Sequence, residues 1–418
     1  MLRSIKIRLY PNKYQSIQIK KLIGCYRFVY NQCLNRKINS YEQLGIKENR
    51  TTLSRFIHRE LLKDDNLLWL REQNTHVLKE AMKDLLIAYE NFFNKTCNHP
   101  KYKLKSDNKQ SCRFDFKSIS RKNIYTNYKI SLANIKNIKF KCNKKYADYL
   151  QNNKDSIKHA TLSYLPCGEY YLSVVVDGGL IHQVKETNNI IGIDLGIKDF
   201  VITSEGEVFN NFHFKKSETR KIKKLQKQLS RKQKGSNNRN KARIKLAKLY
   251  KKIDDKKQYY LHAVSNSLID ENQVICMEDL NVKGMIKNHK LAESICEMSF
   301  GEFRRMLEYK AKWYNRKIVF VDRFYPSSKT CNHCGYINKE LTLNDRKWIC
   351  PHCGEVISRD YNAALNILDE GMRIIGCSSP ESKLVENPTM DEPIRNDLIK
   401  SSGSVKQEVN KASGESWC

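Results

Sequence analysis

Ile190-Ile-Gly-Ile-Asp-Leu-Gly-Ile-Lys-Asp-Phe-Val-Ile-Thr203 decides the fold of the C-terminal half of this 418-residue chain. Its first five residues are an apolar run closed by an acid, the pattern of a strand buried on both faces. Phe200-Val-Ile-Thr203 predicts a second strand, and the turn-like Ser204-Glu-Gly-Glu207 leads into Val208-Phe209. Two further apolar runs follow, Val274-Ile-Cys-Met277 and Ile318-Val-Phe-Val321, the latter preceded by a helix through residues 303–314. Strands mixed with long helices predict an α/β unit from about residue 188. A carboxylate at the end of a buried strand is costly unless something partners it, which singles out Asp194. Glu278 holds the same kind of place after the third run, followed by Asp279-Leu280. Asp360 opens an expected helix in Ser358-Arg-Asp-Tyr-Asn-Ala-Ala-Leu-Asn366. Taken singly, each acid has a structural alternative: acids at strand ends are common, and Asp360 could N-cap its helix. Taken together they suit hard cations. Two Mg²⁺ about 4 Å apart can activate water and stabilise the leaving oxygen of a phosphodiester.

Between the second and third runs lies a basic stretch. Residues 215–257 hold 19 Lys/Arg against 3 Asp/Glu, a net +16 within a whole-chain charge of +31. Apolar residues persist at helical spacing (Ile222, Leu225, Leu229; Leu246, Leu249, Ile253), interrupted by Gly235-Ser-Asn-Asn238. That predicts an antiparallel helical hairpin with one buried seam and basic outer faces. A merely solvated face mixes signs, and this one does not, so it is expected to contact phosphates. The candidate contacts are Lys223, Lys224, Lys227, Arg231, Lys232, Lys234, Arg239 and Arg243.

Further on, Cys331-x-x-Cys334 and Cys350-x-x-Cys353 are separated by fifteen residues. Two such knuckles supply four thiolates that close tetrahedrally around one Zn²⁺. Gly335 and Gly354 follow the pairs and suit the tight turns. Four protein ligands leave no open position, so the zinc is structural. His333 and His352 are expected to be exposed or to face nucleic acid. The scattered cysteines, such as Cys25, Cys142 and Cys276, are expected as small core residues.

The first third is organised differently. Residues 4–10 alternate as a strand, stopped by Pro11, and residues 14–36 turn helical. A strong helix at 74–95 carries Leu78, Met82, Leu85, Tyr89 and Phe92 on one core-facing stripe. After the polar, basic residues 98–113, strands are expected at 128–132, 136–142, 158–165 and 170–177. The arrangement reads as a helical block inserted into a small β unit that begins at the N-terminus. Residues 378–418 carry 5 basic and 7 acidic residues without periodicity and are expected to be disordered.

Composition bounds the rest. At 40% hydrophobic and 10% aromatic residues, global disorder is excluded. No apolar run approaches the ~18–20 residues of a membrane span, and the first residues lack the apolar core of an export signal. A soluble, cytoplasmic protein is expected, with no membrane partner. An excess of positive charge this large calls for a polyanion, and basic runs without an amphipathic apolar face favour nucleic acid over lipid.

Gly-Ile-Asp-Leu-Gly at 192–196, Met-Glu-Asp-Leu at 277–280 and Arg-Asp-Tyr-Asn-Ala-Ala-Leu-Asn-Ile at 359–367 closely resemble the three catalytic motifs of the TnpB family. These proteins are encoded by insertion sequences and are related to type V CRISPR effectors. The resemblance includes Arg323-Phe-Tyr-Pro-Ser-Ser-Lys-Thr-Cys-x-x-Cys-Gly335 and residues 227–236; it is weaker at 24–31 and 99–105. It implies an RNase H-like (RuvC) α/β nuclease domain at 188–330 and 354–372, with Asp194, Glu278 and Asp360 as the magnesium-binding catalytic acids. It further implies a zinc ribbon at 331–353, a barrel-like wedge β domain at 1–12 and 113–187, and a helical recognition domain at 13–112. Residues 373–418 would be the disordered tail. The implied activity is RNA-guided cleavage of double-stranded DNA with a guide RNA from the protein's own element; a monomer is expected, though the sequence does not give the oligomeric state. A transposase accessory and a catalytically silent nucleic-acid-binding regulator are the alternatives.

Overall fold

Strand β1 (Leu2–Tyr10) turns Ile5, Ile7 and Leu9 inward at 4%, 1% and 2% exposure, each burial contributing about 1.5–3 kcal/mol. Pro11 ends it, and Asn12 starts α1 (Lys13–Leu44) through a capping box: Asn12 Oδ1 accepts from Gln15 N, and Gln15 Oε1 accepts from Asn12 N. The helix runs eight residues beyond the expected residue 36, because nothing breaks it before Gly45 at φ 65°. Two short helices, α2 (Arg50–Phe56) and α3 (Leu68–Arg71), precede α4 (Thr75–Phe93), which buries Leu78, Met82 and Leu85 as its stripe requires. Helix α4 packs on α1 and on β2 (Gln110–Asp115). The remaining strands are β3 (Lys129–Leu132), β4 (Ile135–Lys141), β5 (Ile157–Tyr164) and β6 (Tyr170–Asp177), with α5 (Lys144–Asn152) between β4 and β5. They form one sheet, in order β2-β5-β6-β1-β4-β3, with antiparallel pairing throughout. Just beyond β2, Ile119 bridges Leu132 of β3, so the two edges of the sheet meet there. Four helices therefore lie in the chain between two strands of a single sheet.

The computed structural model describes residues 2–115, 119, 128–179, 184–211, 213–289, 291–342 and 345–376. The chain forms two compact units, Met1–Ile181 with Lys224–Lys251, and His182–Lys223 with Lys252–Cys418. Most of the expected tail, from 377 onward, lies outside the described residues.

The second unit grows from β7 (Ile190–Asp194), β8 (Asp199–Thr203) and β9 (Val208–Asn210), an antiparallel run. Helices α6 (Phe214–Ser230) and α7 (Asn237–Glu271) leave from β9 and return to β10 (Val274–Glu278), which lies parallel to β7. Short helices α8 (Val282–Met285) and α9 (Ala292–Met298) lead to α10 (Phe300–Tyr314) and then β11 (Lys317–Val321), parallel to β10. The sheet order is β11-β10-β7-β8-β9. A two-stranded ribbon, β12 (Lys347–Ile349) and β13 (Val356–Ser358), precedes α11 (Arg359–Ile375).

Three boundaries differ from expectation. The β unit resumes at Gln110 rather than at 113, and with a strand that was not expected, β2, whose Cys112 and Phe114 alternate inward within a polar stretch. The ribbon continues through β13 to Ser358, since its second knuckle needs a returning strand. Helix α11 runs to Ile375, past the expected tail start at 373, and stops at Gly376 with φ 75°.

Helix α11 lies directly on the sheet. A Cβ added at Gly192 of β7 would come within 2.3 Å of Ala364 O and 2.7 Å of Leu368 N, both backbone atoms of α11. Backbone cannot step aside cheaply, so Gly192→Ala is expected to lower stability by about 1–3 kcal/mol through overpacking. Gly24→Ala, inside α1 with open space around it, is expected to be neutral or to stabilise by about 0.5–1 kcal/mol. Thermal denaturation of the two variants side by side checks the pair.

Candidate active site and metal centre

Parallel pairing of β7 and β10 puts Met277 opposite Ile193, so Glu278 and Asp194 are the next residues on adjacent strands at the same sheet edge. Asp360, in the first turn of α11, completes the set. The N-cap position belongs to Ser358, so Asp360 is not the cap; a carboxylate in this turn also suits the helix dipole. All three acids are partly buried. Burial, followed by the neighbouring Glu278 and Asp360 carboxylates, pushes Asp194 up from 3.8 to about 7. Burial also raises Glu278, opposed by a hydrogen bond from Ser327 Oγ to Glu278 Oε1. Asp360 Oδ2 accepts from Arg346 Nη1 at 3.0 Å, with Arg359 Nε 4.0 Å from Oδ1. Asp279 stands apart from the three. Hydrogen bonds from Arg304 and Arg323 hold it below the ordinary carboxylate range.

The four cysteines converge as their spacing predicts. Their sulfurs all lie within 4.8 Å of one another, with Cys331–Cys353 at 3.7 Å and Cys334–Cys350 at 3.6 Å. Zn–S bonds of about 2.3 Å at tetrahedral angles put sulfurs about 3.8 Å apart, so the cage fits zinc. The two knuckles are built alike. Gly335 N donates to Cys331 O at 2.8 Å, Gly354 N donates to Cys350 O at 2.9 Å, and the glycines sit at φ 76° and 74°. Leu341, Trp348 and Ile357 form a small core beside the cage. A core that small would gain most of its stability from a metal held by the four sulfurs. His333 and His352 are exposed and take no part in the cage. The three carboxylates do not close to the same 4.8 Å span; Arg346 holds Asp360.

Asparagines join the ribbon to α11. Asn332 N donates to Asn362 Oδ1 at 2.9 Å, and Asn332 Nδ2 donates to Asp369 Oδ2 at 2.6 Å and Asn366 Oδ1 at 3.1 Å. In return, Asn362 Nδ2 donates to Thr330 O, and Asn366 Nδ2 donates to Thr330 O and Ser327 O, all at 2.7 Å. Asn362 and Asn366 are 4% and 3% exposed. One helix thus carries Asp360, fixes the first cysteine knuckle and holds the backbone of the serine that bonds Glu278.

Comparison with known proteins places this geometry. Residues 1–47 match a family model described as Helix-turn-helix domain, residues 172–289 one described as Probable transposase, and residues 300–367 one described as Cas12f1-like, TNB domain. A TnpB-like protein of Acanthamoeba polyphaga mimivirus, L770, is 27% identical over 406 residues, covering 89% of this chain and 74% of that one. A protein of Streptomyces pristinaespiralis named "Putative RNA-guided DNA endonuclease" is 32% identical over 412 residues, covering 98% and 97%. The chain belongs to the TnpB family. Among solved structures, Cas12f1 in its complex with sgRNA and target DNA shares the fold at TM-score 0.53 and 14% identity, over 88% of this TnpB chain and 98% of that one. Residues 1–47 of this TnpB chain are not a helix-turn-helix: they hold β1 and the single 32-residue helix α1.

The basic stretch of this TnpB chain forms the helices α6 and α7, with Gly235 at φ 85° between them. Antiparallel pairing follows from Gln226 Nε2 donating to Tyr250 OH at 3.1 Å and Arg239 Nη1 donating to Leu229 O at 3.0 Å. The seam is shallower than expected: Ile222 is buried, while Leu225, Leu229, Leu246, Leu249 and Ile253 are half-buried. Lys223, Lys224, Lys227, Arg231, Lys234 and Arg243 are exposed, and Lys232 is half-buried. Arg239 also donates to Lys232 O at 2.8 Å, so its guanidinium closes the end of α6. Sequence reasoning passed over Ser327, Arg346 and the two helix asparagines. Asn362 and Asn366 carried a signal, being polar residues four apart on a face otherwise formed by Ala363, Ala364 and Ile367.

Two outcomes follow from the site. Asp194 binds its proton more tightly folded than unfolded, so its contribution to stability is full below about pH 4 and lost as pH rises through about 7. Asp194→Asn should therefore melt higher than wild type at pH 8 in magnesium-free buffer, by a few degrees, with the gain vanishing toward pH 4. Elemental analysis should find about one zinc per chain, lost in Cys350→Ser together with part of the thermal stability.

Proposed function

We propose that this chain is an RNA-guided, metal-dependent DNA endonuclease of a mobile element, with its cutting centre at Asp194, Glu278 and Asp360. The observation that carries the reading is the meeting of three acids from β7, β10 and α11 at one end of a sheet ordered β9-β8-β7-β10-β11. Three antiparallel strands followed by two parallel ones is the strand plan of an RNase H-like (RuvC) domain. Relatives along nearly the whole chain bear the name of RNA-guided DNA endonuclease. In this reading the six-stranded sheet is the wedge, the helices α1–α4 are the recognition block, and the hairpin grips phosphates of guide RNA and double-stranded DNA. The protein works as a monomer in the cytoplasm. No described helix is long and apolar enough to cross a membrane.

The carboxylates of Asp194, Glu278 and Asp360 would hold Mg²⁺, which when bound activates water and stabilises the leaving oxygen. The chain's own groups prepare that. Ser327 orients Glu278, and the neighbouring Glu278 and Asp360 carboxylates make the place beside Asp194 favour positive charge. Arg346 neutralises Asp360 from the ribbon side. The cysteine cage would hold one Zn²⁺ and keep the ribbon folded against α11.

The test is to purify the protein with RNA co-expressed from its own locus and assay a matching double-stranded DNA with Mg²⁺. Wild type should cut and leave 5′-phosphate ends. Asp194→Ala should lose on the order of 10³-fold or more in rate while still binding. Cutting that persists in the variant would sink the active-site assignment. Strand joining without free ends would favour a transposase role, and binding without cutting across a library of flanking sequences would favour a silent regulator.

A further inference from the structure

Phe324 is 86% exposed, the most exposed of the large apolar side chains among the described residues. A single exposed phenylalanine on a mobile loop would be ordinary. This one is held on a braced turn. Phe324 N donates to Asp322 Oδ1 at 2.8 Å, Tyr325 N donates to Asp322 O at 3.0 Å, and Ser327 N donates to Tyr325 O at 2.8 Å. The residue before it, Arg323, is paired with Asp279 at 2.6 Å. The residue after it, Tyr325, packs against the buried cluster of Val274, Cys276, Val319, Val321 and Ile367. Every neighbour of the ring is tied down, and the ring itself is presented to solvent.

The turn stands at the carboxylates. Ser327, three residues on, bonds Glu278, and the Asp279 paired with Arg323 follows Glu278 in the chain. Three residues of chain reach at most about 11 Å, the scale of roughly one or two nucleotides. A rigid, exposed aromatic with a guanidinium beside it is how proteins hold unpaired bases, because every base has a π-face to stack. Bases inside a duplex are already stacked on each other and offer no such face.

Resting on the nuclease reading above, we infer that Phe324 is a positioning residue for the substrate strand: its ring stacks on an unpaired base next to the scissile phosphate. The stack fixes the phosphate against Asp194, Glu278 and Asp360 and makes the centre select single-stranded segments. Phe324 does no chemistry itself.

The experiment uses the full chain loaded with its guide RNA. Single-turnover cleavage is compared for wild type, Phe324→Ala, Phe324→Leu and Phe324→Trp, on DNA that is intact or carries one abasic nucleotide at successive positions around the cut. Removing an aromatic stack should slow cleavage by about 5- to 100-fold in Phe324→Ala. Phe324→Leu should be nearly as slow and Phe324→Trp close to wild type, with melting temperatures unchanged. At one position, an abasic nucleotide should slow wild type to the rate of Phe324→Ala and leave that variant no slower. A fluorescent adenine analogue placed there should be quenched in the non-cutting Asp194→Asn background and not when Phe324→Ala is added. Wild-type rates in Phe324→Ala, an equal abasic penalty in both proteins, or rescue by leucine would overturn the inference while leaving the nuclease reading intact. Absence of cutting in wild type itself removes the nuclease reading, and this inference with it.

Discussion

Helix α11 can rest on β7 only because residue 192 has no side chain. That contact sets the distance between the last described helix and the central strand, and so between Asp360 and Asp194. A second close approach repeats the constraint along the helix: a Cβ at Gly371 would lie 2.2 Å from Cys276 Sγ of β10. The helix is thereby pinned over the two strands that end in Asp194 and Glu278. The ribbon, the asparagine network and the Ser327 turn all hang from the same helix. Van der Waals contact at two glycines thus governs where the charges sit.

Charge works against this arrangement. Burial first, and then repulsion from the other two acids, pushes Asp194 up to about 7. The fold tolerates them through neutral or positive neighbours: the Ser327 hydroxyl on Glu278 and the Arg346 guanidinium on Asp360. A divalent cation would do the same work more strongly, and a phosphate brought by DNA needs one between itself and the acids. The net +16 of residues 215–257 is of the opposite sign, and would attract the phosphates that an acidic edge repels.

Much of this is legible in the amino-acid sequence. Ile190–Asp194 and Val274–Glu278 read as buried strands because a short, continuous apolar run closed by an acid fits little else. The four-cysteine cluster was legible because knuckle spacing fixes which sulfurs can meet. Strand β2 was not, since only Cys112 and Phe114 mark its inward face and the flanking residues are polar. Gly192 was visible within a motif, but its reason is a helix that lies far along the chain. Arg346 was hidden for the same cause: its pairing with Asp360 depends on how the ribbon folds back. Arg239 looked like a phosphate ligand, and the structure commits its guanidinium to the carbonyls of Leu229 and Lys232. Pairings across distant segments are what local pattern cannot carry.

The place of α11 in the chain has a bearing on synthesis. Residues are made in order, so β7, β10 and the basic hairpin leave the ribosome well before Asp360 and the helix that bears it. A nascent chain therefore owns its most basic segment before it owns the complete set of three carboxylates. The knuckle bound by Asn362 and Asn366 likewise emerges before its anchors. A chain that ends before residue 360 therefore carries the whole basic hairpin but lacks one of the three acids and the helix that anchors the ribbon.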